Sequence, residues 1–123
     1  MASSAGTTGD TGHEPVVWHV VRVPFPYTDR PVRQRRPALV VAAPEAPGQP
    51  SLLWVLMITS ARNRGWPGDV PIDDLAEAGL PVPSLVRTEK IATIDARDAE
   101  PIGRLPPALR ALVTVHIRRM LAA

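Results

Sequence analysis

The sequence predicts a mainly β fold with helices (α+β), a small and strongly bent barrel or sheet closed by a C-terminal helix. Short runs of apolar and β-branched residues recur along the chain and are separated by turn residues, a pattern typical of strands. The 15 prolines among 123 residues fit several short strands with abrupt ends, because proline cannot donate to a strand ladder. One long segment with helical periodicity follows at the C-terminus.

The length indicates one domain, since 123 residues can bury one core and are too few for two. Residues 1–14 are small and polar without an apolar period, so we expect a disordered tail there, followed by a domain at 15–123. The apolar run at 52–59 predicts a strand buried on both faces. The predicted elements are strands at 16–23, 38–43, 52–59 and 69–72, a helical turn at 73–79, a strand pair at 84–95, a short strand at 102–103 and a helix at 106–122.

The predicted C-terminal helix has an apolar stripe with the i, i+3, i+4 rhythm of a packed helix. His116 falls on this stripe, where a packed core histidine is favoured over a catalyst. Arg118 and Arg119 lie where they meet the negative end of the helix dipole. The stripe consists of Leu109, Leu112, Val113, His116, Ile117, Met120 and Leu121.

The charge is unevenly distributed along the chain. Residues 1–14 hold two acidic groups and no basic one, so 15–123 carry 14 basic and 10 acidic side chains, and only Lys90 among the basic ones is a lysine. Arginine suits phosphates and nucleic-acid bases, which favours a nucleic-acid partner. The alternative is a GC-rich genome, whose codons favour arginine.

Several classes of protein and site are disfavoured by what the sequence lacks. The longest apolar run, 52–58, is far shorter than the roughly 20 residues of a membrane helix, and no secretory signal is visible. The chain has no cysteine, so we expect a cytoplasmic protein without disulfides. Its histidines, His13, His19 and His116, are scattered without metal-ligand spacing. No glycine-rich phosphate loop is present, and the sequence therefore predicts neither a metal nor a cofactor.

Arginines, hydroxyls and one carboxylate occur at or near predicted strand ends, namely Arg36, Thr59, Ser60, Arg87 and Glu89. Metal-free RNA cleavage needs a base for the ribose 2′-OH, stabilisation of the charge on the phosphorane and help for the departing 5′-oxygen. A carboxylate can serve as the base, guanidiniums can stabilise the charge, and hydroxyls can hold the phosphate. The alternative is structural: Arg87 and Glu89 as a surface ion pair, and the hydroxyls as a strand end.

A loop dense in arginine lies between the first two predicted strands. We expect it to bind RNA phosphates, with arginines after the third strand extending the track. Tyr27 or Trp66 could stack a base, and for Trp66 a core position is the alternative. The predicted RNA-binding residues are Tyr27, Thr28, Arg30, Arg33, Arg35, Arg62 and Arg64.

An ordered set of motifs extends from about residue 16 to the C-terminus. The motifs are VPFPYTD at 23–29, RRPALVV at 35–41, ITS at 58–60, a Trp-Pro to Pro segment at 66–71, AGLPVP at 78–83, SLVRTEK at 84–90, IATID at 91–95 and IGRL at 102–105. In this order and spacing, the set resembles the MazF/PemK/Kid family of toxin ribonucleases from bacterial toxin–antitoxin modules.

The resemblance implies an SH3-like barrel of the MazF/Kid/CcdB type that acts as a homodimer. It also implies metal-independent, sequence-specific cleavage of single-stranded RNA to 2′,3′-cyclic phosphate and 5′-OH ends, and an antitoxin partner that is acidic and partly disordered. Arg36 matches the arginine central to cleavage, and Thr59 and Ser60 match the hydroxyl residues beside it. Arg87 matches an arginine proposed as acid or stabiliser in one branch of the family, where an aspartate proposed as base becomes Glu89.

The chain departs from the family pattern at three places. His19 stands at a usually acidic position, where a base or phosphate contact and a structural role are both open. The loop after Asp29 lacks the usual glycines, and Pro106 replaces a serine helix cap. The rival interpretation is a non-catalytic toxin of the same fold, a gyrase poison like the CcdB toxins or an RNA-binding module.

Overall fold

A computed structural model describes residues 15–24, 34–44 and 51–122 of the chain. The predicted tail at 1–14 and most of the arginine-rich loop lie outside the described residues. The strands are β1 (His19–Pro24), β2 (Arg35–Ala42), β3 (Leu52–Ser60), β4 (Asp69–Ile72), β5 (Ser84–Asp95) and β6 (Glu100–Arg104). The helices are α1 (Leu75–Ala78) and α2 (Pro107–Leu121), and 3₁₀ turns lie at Ala61–Asn63 and Ala96–Asp98.

The six strands form one antiparallel sheet in the order β4-β5-β3-β2-β1-β6. Both faces of the sheet carry a buried apolar cluster, because successive residues of a strand point to opposite faces. Val20 belongs to the cluster that α1 and α2 cover, and its neighbour Val21 belongs to the other. The predicted class, mainly β with a C-terminal helix, is confirmed.

The central strand β3 differs from its prediction. Val55 to Ile58 are buried, but Leu52 and Trp54 are 43% and 45% exposed. Trp54 pairs with exposed Thr93 of β5, at an end of the sheet where the described chain leaves one face uncovered. The prediction of a strand buried on both faces is therefore wrong for its first half.

Strand β5 is one continuous strand rather than the predicted pair. Leu56 of β3 pairs with Ile91, and the next residue, Met57, pairs with Arg87, so residues 88–90 form a bulge. The bulge lets the Thr88 hydroxyl donate to the Gly68 carbonyl at 2.8 Å. It also breaks the regular alternation that would have put Arg87 and Glu89 on one face.

Helix α2 covers the sheet with only part of its predicted stripe. Val113 is fully buried, and Leu109 and Ile117 pack against the same core cluster. Leu112, Met120 and Leu121 remain exposed, the last by 74%. The helix begins without a side-chain cap at Pro106, as the sequence predicts. Within the described part of the chain, neither helix has the length and apolar character needed to cross a membrane.

Candidate functional site

The ends of β1, β2 and β3 surround a cavity of about 340 Å³, here called the cationic cavity. Arg36 reaches it from β2, and Thr59 and Ser60 reach it from the end of β3. These three predicted site residues are therefore brought together. The full lining is Arg22, Arg35, Arg36, Pro37, Ile58, Thr59, Ser60, Asn63, Leu80, Pro81, Val82, Ser84 and Ile102.

Arginines dominate one wall of the cationic cavity. In the antiparallel register, Arg36 lies opposite Val23 and Arg35 opposite Pro24, which sets both beside exposed Arg22 of β1. One guanidinium nitrogen of Arg35 donates to the backbone carbonyl of Arg22 at 3.2 Å and to that of Asp98 at 2.9 Å. Arg35 is thereby fixed against the strand end, and the wall concentrates positive charge.

The opposite wall holds hydroxyls that accept hydrogen bonds from their own loop. Thr59 Oγ1 accepts from the side-chain amide of Asn63 at 2.8 Å, and Ser60 Oγ accepts from the Arg62 backbone N–H at 3.3 Å. The second bond caps the 3₁₀ turn Ala61–Asn63. Because a hydroxyl has one proton and two lone pairs, each hydroxyl keeps a proton to donate.

A second cavity of about 660 Å³, here called the loop cavity, continues from the first around the 3₁₀ turn. The two cavities share Ser60, Asn63 and Val82, and the second adds the predicted RNA-binding residues Arg62 and Arg64. No aspartate or glutamate occurs among the described residues that line either cavity. Together they form a groove with arginines at both ends and hydroxyls between.

Arg87 lies behind this groove rather than in its lining. Its guanidinium forms a two-point ion pair with Asp69, with Nε–Oδ1 at 3.1 Å and Nη2–Oδ2 at 3.0 Å, and the side chains are only 10% and 9% exposed. The same guanidinium donates to the Asn63 carbonyl and stacks on the Trp66 ring, 4.3 Å from its centroid. The alternative of an Arg87–Glu89 pair is therefore wrong, since the partner of Arg87 is Asp69.

Asp69 is held in its charged form. Burial of its carboxylate opposes ionisation, but hydrogen bonds from Arg87 and from the Trp66 backbone N–H lower the pKa of Asp69 below its ordinary value. Trp66 keeps 46% of its surface exposed, so the alternative of a core position for this residue is wrong.

Glu89 lies in a different place from the other predicted catalytic residues. It lines a separate cavity of about 270 Å³ together with His116 and Arg119 of α2. Within the described chain, Glu89 therefore does not share the cationic cavity with Arg36. His116 is half-buried and lines this cavity, so it is less buried than the packed core histidine that its place on the apolar stripe predicts.

His19 takes a structural position at the start of β1. Its backbone N–H donates to the Val16 carbonyl at 3.0 Å, and its ring Nδ1 accepts from the Val16 backbone N–H at 3.0 Å. Burial and, secondarily, the nearby Arg104 lower the pKa of His19, which favours the neutral ring that this bond requires. The turn places Trp18 at a φ of 77° and delays the strand from the predicted residue 16 to residue 19.

Four predicted RNA-binding residues, Tyr27, Thr28, Arg30 and Arg33, lie outside the described residues. Conversely, the sequence did not single out Arg22, Asn63 or Asp69. Arg22 could have been found from strand alternation, because it is the exposed residue between buried Val21 and Val23. Asn63 and Asp69 carry no local signal, since their partners are set by the fold.

The fold and the groove define a class of protein: a small curled sheet with a terminal helix and a cationic cavity lined by hydroxyls at strand ends. The family model described as PemK-like, MazF-like toxin of type II toxin–antitoxin system matches residues 17–121. The chain belongs to this family, and the resemblance drawn from its motifs is confirmed.

Solved structures share the fold. The chain is similar to MazF (Form-I) from Deinococcus radiodurans, with a TM-score of 0.67 and 23% identity over 90% of this chain and 99% of that chain. It is similar to the Mycobacterium tuberculosis toxin MazF-mt6, with a TM-score of 0.62 and 24% identity over 84% and 95%. It is also similar to an endoribonuclease in complex with its cognate antitoxin from a mycobacterial species. The TM-score is 0.65, and the identity is 16% over 87% of this chain and 94% of that chain. The comparison with curated proteins found no match.

Proposed function

We propose that this toxin-family protein is an endoribonuclease that cleaves single-stranded RNA without a metal ion, leaving 2′,3′-cyclic phosphate and 5′-OH ends. The observation that carries the proposal is the cationic cavity, where Arg36 shares one lining with Thr59 and Ser60. Guanidiniums bind phosphate through charge-assisted hydrogen bonds, and hydroxyls add neutral donors. This donor set matches a phosphodiester whose negative charge increases during cleavage.

In the proposed reaction the ribose 2′-oxygen attacks the adjacent phosphorus and the bond from phosphorus to the 5′-oxygen breaks. The 2′-OH loses a proton and the departing 5′-oxygen gains one, so the charge of the phosphodiester is conserved. Arg36 would stabilise the phosphorane, and the Thr59 and Ser60 hydroxyls would hold its non-bridging oxygens. The described lining contains no carboxylate or imidazole, so the 2′ proton leaves to water or to a group beyond this lining. The proton that the 5′-oxygen gains comes from the same sources.

The loop cavity would bind the neighbouring nucleotides. Its arginines, Arg62 and Arg64, follow directly after the hydroxyl wall, and the shared residue Ser60 connects the two cavities. A single strand lying along the groove would thus meet arginine at both ends and hydrogen-bond donors between them. Because the arginines bind the RNA phosphates electrostatically, the affinity of the protein for RNA should fall as the salt concentration increases.

The test is cleavage of a mixed-sequence RNA in EDTA by the wild type and by Arg36→Ala and Thr59→Val. Loss of one preorganised donor to a developing oxyanion costs about 10²–10³-fold in rate, and we expect losses of that order. Arg118→Ala, which removes an exposed arginine of α2 outside both cavities, is the matched control and should cut normally. Intact RNA with wild type, or equal cutting by Arg36→Ala, would contradict the proposal.

A non-catalytic RNA-binding toxin is the second candidate. It is favoured because the described lining of the cationic cavity contains no carboxylate or imidazole that could act as a general base. It predicts salt-dependent RNA binding without new 5′-OH ends. The same assay separates the two candidates, because both bind RNA and only the nuclease produces cyclic phosphates.

We also propose that the protein works as a homodimer and is inhibited by an acidic, partly disordered antitoxin. Membership of a toxin–antitoxin family supports both, and the mycobacterial structure pairs an endoribonuclease with its cognate antitoxin. The groove without acidic lining suits an acidic peptide, which would compete with RNA. Light scattering should give twice the 13.3 kDa chain mass, and added antitoxin should release bound RNA.

A further inference from the structure

Asn63 connects the hydroxyl wall of the cationic cavity to the ion pair behind it. Its side-chain amide lies 2.8 Å from Thr59 Oγ1 as donor, and Asn63 lines both cavities of the groove. Neither the motif pattern nor the expected catalytic set includes it. The proposed cleavage reaction therefore assigns no role to Asn63.

The Asn63 backbone is fixed from behind. Arg87 donates to the Asn63 carbonyl, and Asp69 grips the same guanidinium at two points. Trp66 closes the arrangement, since its backbone N–H donates to Asp69 Oδ2 at 3.2 Å and its ring lies against the Arg87 guanidinium. A buried, doubly bonded ion pair has few alternative geometries, so it restricts where the Asn63 amide can point.

The direction of the Thr59–Asn63 hydrogen bond has a chemical consequence. An amide N–H can only donate, so Thr59 Oγ1 accepts this hydrogen bond through one of its lone pairs. The proton of the Thr59 hydroxyl must then point away from Asn63. Among the described residues, the Thr59 hydroxyl donates to no protein acceptor. The cavity that Thr59 lines is the space available to that proton.

We propose that Asn63 is a positioning residue that turns the Thr59 hydroxyl proton toward the scissile phosphate, with the Asp69–Arg87 pair holding Asn63 in place. The proposal rests on the proposed RNA-cleaving function and deepens it. Arg87 acts here through Asp69 and Asn63 instead of touching the phosphate. Asn63 acts through Thr59, and removing it leaves the hydroxyl free to rotate away from the phosphate.

The test is a double-mutant cycle with Asn63→Ala and Thr59→Val. Thr59→Val removes the donor itself and should lose about 10²–10³-fold in rate, as in the cleavage test. Asn63→Ala leaves the hydroxyl in place but without its orienting hydrogen bond, so we expect it to lose about 10- to 100-fold. If Asn63 acts only through Thr59, Asn63→Ala should cause no further loss in the Thr59→Val background. Additive losses would overturn the proposal while leaving the nuclease assignment intact.

The cleavage rate of Asn63→Asp is a second measurement, and it distinguishes a positioning role of Asn63 from a purely structural one. A carboxylate accepts the Thr59 proton and turns it away from the cavity, so this variant should cleave more slowly than Asn63→Ala. Its negative charge also repels phosphate, and the same substitution in the Thr59→Val background measures that repulsion alone. If the penalty of Asn63→Asp is equal in both backgrounds, the proposal is overturned.

Binding of a 2′-deoxy single strand, which cannot be cut, extends the test beyond cleavage. If the wild type binds this strand but cuts no RNA, the proposed nuclease function is contradicted. The double-mutant cycle is then calculated from the dissociation constants of the 2′-deoxy strand instead of from cleavage rates. Non-additive binding losses would then support the positioning role, and additive losses would overturn it. If the wild type neither binds nor cuts, both proposals are overturned. Thermal unfolding of each variant confirms that the fold is intact.

Discussion

Removing one partner of the Asp69–Arg87 ion pair should be among the most destabilising single substitutions outside the apolar core. Asp69→Asn keeps the shape of the side chain but leaves a guanidinium that is about nine-tenths buried without its counter-charge. Removing one partner of a buried pair costs about 3–5 kcal/mol. We expect the lower end, about 3 kcal/mol, because the amide oxygen can still accept one bond.

The assay is urea unfolding of wild type, Asp69→Asn and the double variant Asp69→Asn/Arg87→Met. The first substitution should lower the midpoint with an unchanged slope, since the surface exposed on unfolding is the same. The double variant should recover much of the loss, because no unpaired charge stays buried. Asp95→Asn, which breaks the exposed pair with Arg97, is the matched control and should barely move the midpoint.

The pair also makes a prediction about pH. The folded-state pKa of Asp69 is lowered, so its stabilisation is fully present above the unfolded pKa and is lost as pH falls through the folded pKa. The difference in the free energy of unfolding between the wild type and Asp69→Asn should therefore decrease as the pH is lowered through the folded-state pKa of Asp69. An Asp69→Asn midpoint equal to wild type at neutral pH would refute the reasoning, because a buried, doubly bonded pair cannot be neutral to removal of its charge.

Further predictions concern the groove, one turn and one histidine. Arg62→Ala and Arg64→Ala should each weaken RNA binding and reduce the slope of log affinity against log salt by about 0.7, as measured by fluorescence anisotropy. Gly79→Ala should destabilise the fold by about 2–4 kcal/mol in urea unfolding, because φ is 70° and a new Cβ would collide with the Ile102 carbonyl. The pKa of His19 is lowered on folding, so stability should fall as pH drops below its unfolded value of about 6.5, and His19→Asn should remove that dependence.

The positions of the strands could be predicted to within a few residues because each strand is a local pattern, although the sequence divides the continuous strand β5 into a pair. The short strand at 69–72 has the bounds that the sequence predicts, since turn residues confine its apolar positions on both sides. The helix is placed within one residue of its prediction for the same reason. The exposure of Leu112 and Met120 could not be predicted, because helical period says which residues share a face and not what covers it.

The cationic cavity could be predicted only in part. Arg36, Thr59 and Ser60 lie at strand ends that an antiparallel sheet brings together, and the motifs mark them. The partner of Arg87 could not be predicted, because Asp69 is 18 positions away in sequence and meets it through strand register. The bulge at 88–90 then directs Glu89 toward α2, which no local pattern indicates.

The most direct test of the central claim is mass spectrometry of the RNA ends after incubation with the protein in EDTA. If Arg36 and Thr59 form the site of cleavage, the upstream fragments should carry 2′,3′-cyclic phosphates, and Arg36→Ala should yield none above background. Fragments ending in a free 3′-OH, or cyclic phosphates formed equally by Arg36→Ala, would contradict the account.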